Sequence, residues 1–327
     1  VEARTVDEVL IGTILGSTLR VSAPLILCAL AGVLSERSGV IDLGLEGKML
    51  MTAFATATVG VTTGSLALAL AAALLVGLAL SMLHGYACVT HRGDQVVLGM
   101  AITMTAAGLS VVLGIAWFAQ GGQTPPVPDA VRLDPWFAGV GEGVAQLPLV
   151  GKALSLAFFG HNVMVYGALV AVAAVWWLLY RTRFGLRVRA AGENPTMVDA
   201  AGLSVKGLRY QALALNGVLS SLAGAYLVLA QNPSFIPNMT AGRGYMALAA
   251  LIFGKWHPVG ALWACLLFGF LDAVSIRLQG AQLPLMGEVP VQAIQALPYV
   301  LTVVLLAGFI GNAIAPKALG RPYIKER

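Results

Sequence analysis

The run LALALAAALLVGLALSML, Leu66 to Leu83, is apolar on every face of any helix or strand it could form. A helix on a soluble protein keeps a polar side and a half-buried strand alternates; this run does neither. Its length is close to the roughly 20 residues that cross a bilayer as a helix. Inside a bilayer, backbone donors and acceptors find no water, so only helices and closed barrels can span it. A barrel is built from roughly ten-residue segments of alternating polarity, and unbroken apolar stretches do not supply them. The rest of the chain agrees: 58% of its 327 residues are hydrophobic and 11% are charged, against about 25% charged in a soluble domain. The sequence predicts an all-α, polytopic helical membrane protein, with residues 1–327 forming a single transmembrane domain.

Similar runs divide the chain into about nine candidate spans, some of them broken: Val9–Leu34, Leu43–Thr63, Leu66–Thr90, Gln95–Ala119, Asn162–Tyr180, Gly207–Ala230, Gly244–Phe253, Val259–Leu278 and Ala296–Ile314. The first is too long for a signal-peptide core and lacks a convincing cleavage site, so it is read as a span. The seventh is short enough to be a broken helix. Basic residues sit in the connections after odd-numbered spans: Arg37; His91 and Arg92; Arg181, Arg183, Arg187 and Arg189; Lys255 and His257; Lys317, Arg321 and Lys325. Even-numbered connections are poor in them. Positive charge stays on the cytoplasmic side, so the expected orientation has the N-terminus outside and the C-terminus inside. The net charge of +5 is thereby accounted for by topology, with no nucleic-acid-binding face.

One connection on the expected outer side is long. Residues 120–161 are dense in Gly and Pro and carry Trp136 and Phe137. Such loops usually have a role or small helices of their own, and the two aromatics suit the lipid headgroup level. Cys28, Cys88 and Cys265 lie far apart inside apolar segments and read as small buried thiols. No metal site is expected from them or from the four scattered histidines. The chain has no G-x-x-x-x-G-K-[ST] loop to cradle ATP phosphates, no H-E-x-x-H and no G-x-S-x-G. A membrane enzyme would need some such constellation.

The loop 181–205 reads RTRFGLRVRAAGENPTMVDAAGLSV. After its arginines, Glu193 precedes Asn194, a good N-cap, and Pro195 suits the first helical position. Thr196, Met197, Val198, Asp199, Ala200 and Ala201 fill about two turns, and Gly202 can take the left-handed conformation that ends them. The sequence thus predicts a short, separately capped helix in a cytoplasmic loop. Its apolar side, Met197, Val198 and Ala201, has no span of its own to pack under. It rests on lipid as an interfacial helix or docks in a groove on a cytoplasmic partner.

RAAGENPTMVDAAGLSV resembles the coupling-loop signature of permease subunits of ATP-binding-cassette importers, in the branch serving branched-chain amino acids, simple sugars and nucleosides. LCALAGVLSERSGVIDLGLEGKMLMTAF, Leu27 to Phe54, is similar to the N-terminal signature of the nucleoside and simple-sugar members. GRGYMALAALIFGKWHPVGALWACLLFG, Gly242 to Gly269, matches a third block. The resemblance covers most of the chain outside the long loop. It implies a multi-pass permease of the bacterial inner membrane that binds no cofactor itself. Two separate ATPase subunits would use ATP and Mg, pushing on residues 193–202. A second homologous permease, commonly a different chain, would complete the passage through the lipid, and a lipoprotein or periplasmic protein would deliver a nucleoside, riboside or simple sugar. One departure is Asp42, where many relatives are expected to have Asn; it bears on substrate class because Asp42 lies near the expected path.

Four polar residues at membrane depth are candidates for that path or a gate: Asp42, Glu46, Asn216 and Asp272. Intramembrane acids are costly and normally face protein or a water-filled pathway. Lys48 is too close in sequence to face Glu46 on one helix. Asp272 lies near the expected outer end of its span with Arg277 beyond. Asn216 and Gln231 have the alternative role of hydrogen-bonding helices together, helped by the small residues of NGVLSSLAGAYL. A rival reading is a transporter driven by an ion gradient, which needs a deep acidic site at a broken helix; Asp42 and Glu46 would have to supply it. A purely structural scaffold subunit leaves the short capped helix unexplained.

Overall fold

The computed structural model describes residues 2–146, 151–278 and 314–325, with isolated positions between 279 and 313. It is helical apart from a two-residue antiparallel pair, β1 (Gln282–Leu283) with β2 (Gly287–Glu288). The chain begins with α1 (Glu2–Arg37), α2 (Leu45–Thr63) and α3 (Leu66–Gly85), which runs on into a π turn, Tyr86–Thr90. Next comes α4 (Gln95–Phe118). The long loop then forms a 3₁₀ turn (Asp129–Val131) and the short helices α5 (Ala138–Ala145) and α6 (Gly151–Leu154). The second half consists of α7 (Val163–Arg181), α8 (Arg183–Glu193), α9 (Pro195–Ala200), α10 (Val205–Tyr226, extended by a π turn to Gln231), α11 (Arg243–Phe253) and α12 (Pro258–Leu278).

Among the described residues, six helical segments are long and apolar enough to cross a membrane: Val9–Arg37, Leu66–Thr90, Gln95–Phe118, Val163–Arg181, Val205–Gln231 and Pro258–Arg277. Helix α2 has 19 residues, but Glu46 and Lys48 near its start keep it out of that set. Helix α11 has 11 residues, about half a bilayer core at 1.5 Å per residue, and is the broken segment expected. The ninth expected span, Ala296–Ile314, lies almost wholly outside the described residues.

Burial separates centre from rim. The most apolar windows of α1 and α10 are 67% and 78% buried, against 22% for α3 and α4. Helix α10 packs on α1, α2 and α3. Small residues allow this: a Cβ on Gly217 would meet Gly77 O at 2.8 Å and Ser81 Oγ at 3.0 Å. Close backbone approach of this kind drives helix association where lipid removes the hydrophobic effect. All three cysteines are free and buried.

The long loop folds back over the end of α10. Thr124 N donates to Phe235 O at 3.1 Å, Val127 N to Pro233 O at 2.7 Å and Leu133 N to Leu229 O at 3.0 Å. Val127 and Val131 are buried in the main core. Trp136 and Phe137 lie with ring centroids 5.1 Å apart and planes tilted by 42°, and Trp136 stays exposed.

Candidate functional site

Helix α1 ends at Arg37, and the chain turns through Gly39 at φ +90° before reaching Asp42. That turn drops a carboxylate into the middle of the bundle. Asp42 Oδ2 accepts from Lys48 Nζ at 2.5 Å, and Asp42 Oδ1 accepts from Gly44 N at 3.1 Å. His84 of α3 places Nδ1 3.1 Å from Asp42 Oδ1. Lys48 Nζ also donates to Asn216 Oδ1 of α10 at 3.0 Å, and Ser81 Oγ of α3 donates to the same oxygen at 3.1 Å. On its other side, Asn216 Nδ2 donates to Ala31 O of α1 at 2.9 Å. Asp42, Lys48, Ser81, His84 and Asn216 are all fully buried. One polar junction therefore ties together α1, the turn after it, α2, α3 and α10.

Its logic follows from charge burial. Desolvating an ammonium or a carboxylate costs several kcal/mol unless a partner and further hydrogen bonds replace the lost water. Here each charge has both: Lys48 has an anion and an amide oxygen, and Asp42 has the ammonium and a backbone N–H.

Glu46 does something different. Its Oε1 accepts from Gly242 N at 2.8 Å and its Oε2 from Gly244 N at 2.5 Å. The carboxylate sits at the N-terminus of α11, where unpaired N–H groups and the helix dipole favour an anion. A helix that starts inside the bundle thus has its first donors satisfied by a neighbouring helix. Lys48, as expected from the spacing, does not face Glu46.

Asp272 stands apart. It is half-buried on α12, within electrostatic reach of Arg243. Among the described residues no ion pair links it to Arg277. Gln231 Nε2 donates to Arg20 O at 3.0 Å and fastens the end of α10 to α1. The sequence reading brought out Asp42, Glu46 and Asn216 but missed Lys48, Ser81 and His84. A lysine, a serine and a histidine in otherwise apolar segments were the available signal. No group of three or more His, Cys, Asp or Glu that could hold a metal occurs among the described residues.

The predicted capped helix is present. Asn194 Oδ1 accepts from Met197 N at 3.2 Å, Pro195 holds the first helical position, and Gly202 adopts φ +80°. Glu193, Thr196, Met197, Ala200 and Ala201 are exposed and Pro195 is partly so. One detail differs. Val198 points inward and is buried in the main core, so the expected apolar side of Met197, Val198 and Ala201 is divided. The amphipathic α8 before it and the close turn at Gly202 bring α9 back against the bundle, and Val198 anchors it there. Met197, at 68%, and Ala200 face out.

A helical bundle with six bilayer-length apolar helices among the described residues, a half-length helix and a charged junction in its interior defines a multi-pass membrane protein. Residues 14–310 match the family described as "Branched-chain amino acid transport system / permease component", and the chain belongs to that family. It is 39% identical to the guanosine ABC transporter permease protein NupQ of Bacillus subtilis, over 97% of this chain and 98% of that protein. It is 36% identical to the nucleoside ABC transporter permease protein NupC of Lactococcus lactis, over 96% of this chain and 97% of that protein. A solved metal-chelate type ABC transporter in an inward-facing conformation aligns with 90% of this chain and 85% of that one. Its TM-score is 0.49 at 16% identity, too distant to argue from.

The junction predicts an asymmetric response to mutation. Lys48→Met strands the Asp42 carboxylate and should destabilise the detergent-solubilised protein by about 3–5 kcal/mol. Adding Asp42→Asn removes the stranded charge and should restore more than half of the loss. A thiol-reactive dye that reports exposure of the buried cysteines during heating measures both. Equal midpoints for Lys48→Met and the parent chain would show that the pair does not hold the bundle.

Proposed function

We propose that this chain is the permease subunit of an ATP-binding-cassette importer that moves nucleosides or related ribosides and simple sugars inward across a bacterial inner membrane. The observation that carries the reading is α9: a separately capped, two-turn helix anchored by Val198 with Met197 and Ala200 turned outward. A helix so built is a rigid knob, and a knob at the end of a span can receive a push. The guanosine and nucleoside in the names of NupQ and NupC support the substrate class.

In this reading residues 193–202 dock on one of two ATPase subunits that bind ATP and Mg. A second, homologous permease, a different chain, completes the passage, and an external lipoprotein or periplasmic protein supplies substrate. About nine spans place the N-terminus outside and residues 181–205 in the cytoplasm, in keeping with the positive-inside rule. Asp42, Glu46 and Asn216 act on the passage by fixing the helices that frame it, because their polar atoms are already engaged. Asp272, half-buried and outside the junction, is the candidate to meet solute.

Orientation is tested with single cysteines in a background lacking the native three. Cysteine in place of Asp129 should label in intact cells with an impermeant thiol reagent, and cysteine in place of Thr182 only after permeabilisation. The reverse pattern would invert the topology and remove α9 from the ATPase side.

Coupling is tested in the complex recovered by co-purification, every subunit identified by mass spectrometry. The isolated chain should hydrolyse no ATP. Ala200→Asp places a charge at the docking contact, and Gly202→Val opposes the left-handed turn. Both should insert normally yet lower substrate-stimulated hydrolysis and uptake together, by about tenfold if the lost contact is worth about 1.4 kcal/mol. Arg181→Ala should matter little. Normal coupling in both variants would make α9 a lipid-facing turn.

A further inference from the structure

The segment 316–325 does not trail away from the bundle. Ala318 N donates to Gly192 O at 2.8 Å, two residues before the cap of α9, and Gly320 N donates to Gly39 O at 3.2 Å in the turn after α1. Between these two stitches lies Arg209 of α10, only 1% exposed. Its Nε donates to Ser38 O at 3.2 Å and its Nη1 to Arg321 O at 3.1 Å. No carboxylate pairs with it among the described residues. A guanidinium without a counter-anion is costly to bury, and its rigid fork spends that cost on carbonyls of two separate segments. It holds the chain end in place.

The consequence is a built surface beside α9. Segment 316–325 runs along the short helix and leaves a 470 Å³ groove between them, walled by Glu193, Asn194 and Pro195 on one side and by Lys317, Arg321 and Tyr323 on the other. On the far side of Tyr323 the strap closes on α9 again, where Lys325 Nζ lies 3.6 Å from Asp199 Oδ1. Lys317 and Arg321 are exposed with no ion-pair partner among the described residues, so the strap's rim of the groove is basic, facing the single acid Glu193 on the α9 side.

We propose that segment 317–325 is a strap that forms the second half of the seat for the ATPase subunit. Its basic rim receives an acidic surface of that subunit while α9 supplies the apolar knob, and Arg209 is the positioning residue that holds the strap. This rests on the coupling role given to α9 above. The groove is continuous with the outward face of that helix, and its charge selects an acidic protein surface.

The test uses the complex with its identified ATPase subunits, in neutral detergent without anionic lipid. The double variant Lys317→Glu, Arg321→Glu changes only exposed side chains that make no ion pair among the described residues. It should weaken ATPase association by about tenfold, the size expected of a few surface ion pairs, and the parent's association should fall with salt where the variant's does not. Arg209→Met leaves the rim charges in place. It should weaken association equally and open the Lys317–Ala318 bond to trypsin, while Arg209→Lys, which keeps one carbonyl contact, falls between. Ala200→Asp is the reference. If it weakens association and the strap variants do not, the strap proposal is wrong and the coupling reading stands. If none of them weakens association, both fall. Loss of association confined to anionic-lipid bilayers would make the strap a headgroup contact and overturn the proposal.

Discussion

A lysine at the centre of a membrane bundle obliges the rest of the protein to answer it. Lys48 is fully buried on α2, and its ammonium is met by Asp42 from the turn after α1 and Asn216 from α10. Asn216 in turn reaches α1 and α3. Lipid offers helices no hydrophobic reason to associate, so directional polar contacts and close small-residue packing must fix their arrangement. The junction supplies the first and the Gly77–Gly217 approach the second. Helices α3 and α10 are common to both, and α10 begins just after α9.

Under the proposed coupling, this placement shapes how a push on α9 is used. Val198 seats α9 in the core, Gly202 ends it, and Val205 starts α10. Three turns further on is Asn216. Displacement of α10 along its axis strains the Lys48–Asn216 and Ser81–Asn216 contacts together, so α1, α2 and α3 move with it or the contacts break. Half-helix α11 belongs to the same body, since Glu46, two residues from Lys48, holds its first donors. The same engagement weakens the ion-gradient rival. Its required carboxylates are present, but Asp42 is taken by Lys48 and Glu46 by the α11 N-terminus, which leaves neither free to coordinate a travelling cation.

Much of this was legible in the sequence, and the boundary is physical. Apolar run length marks spans, so six were found with their ends within a few residues, and 11-residue α11 was recognisable as broken. The cap at Asn194, Pro195 and Gly202 is local chemistry and was readable residue by residue. What sequence could not supply was pairing across helices. Asp42, Glu46 and Asn216 stood out as polar atoms in apolar surroundings, but Lys48 was weighed only against Glu46, its neighbour in the chain, when its partner lies across a turn. His84 and Ser81 on α3 and Arg209 on α10 needed coordinates, because helical spacing says which face a residue occupies and not what stands opposite. The inward turn of Val198 was hidden for the same reason.

The central claim is that ATP hydrolysis by partner subunits, delivered through α9, drives solute through this bundle. The most direct measurement is accumulation of radiolabelled nucleosides, tested as a panel, in proteoliposomes holding the complete complex, with the external binding protein supplied outside and nucleotide sealed within. The account predicts accumulation against a gradient with Mg-ATP inside, abolished by vanadate and unaffected by collapsing proton and sodium gradients. Accumulation that follows an imposed ion gradient and proceeds without ATP would contradict it.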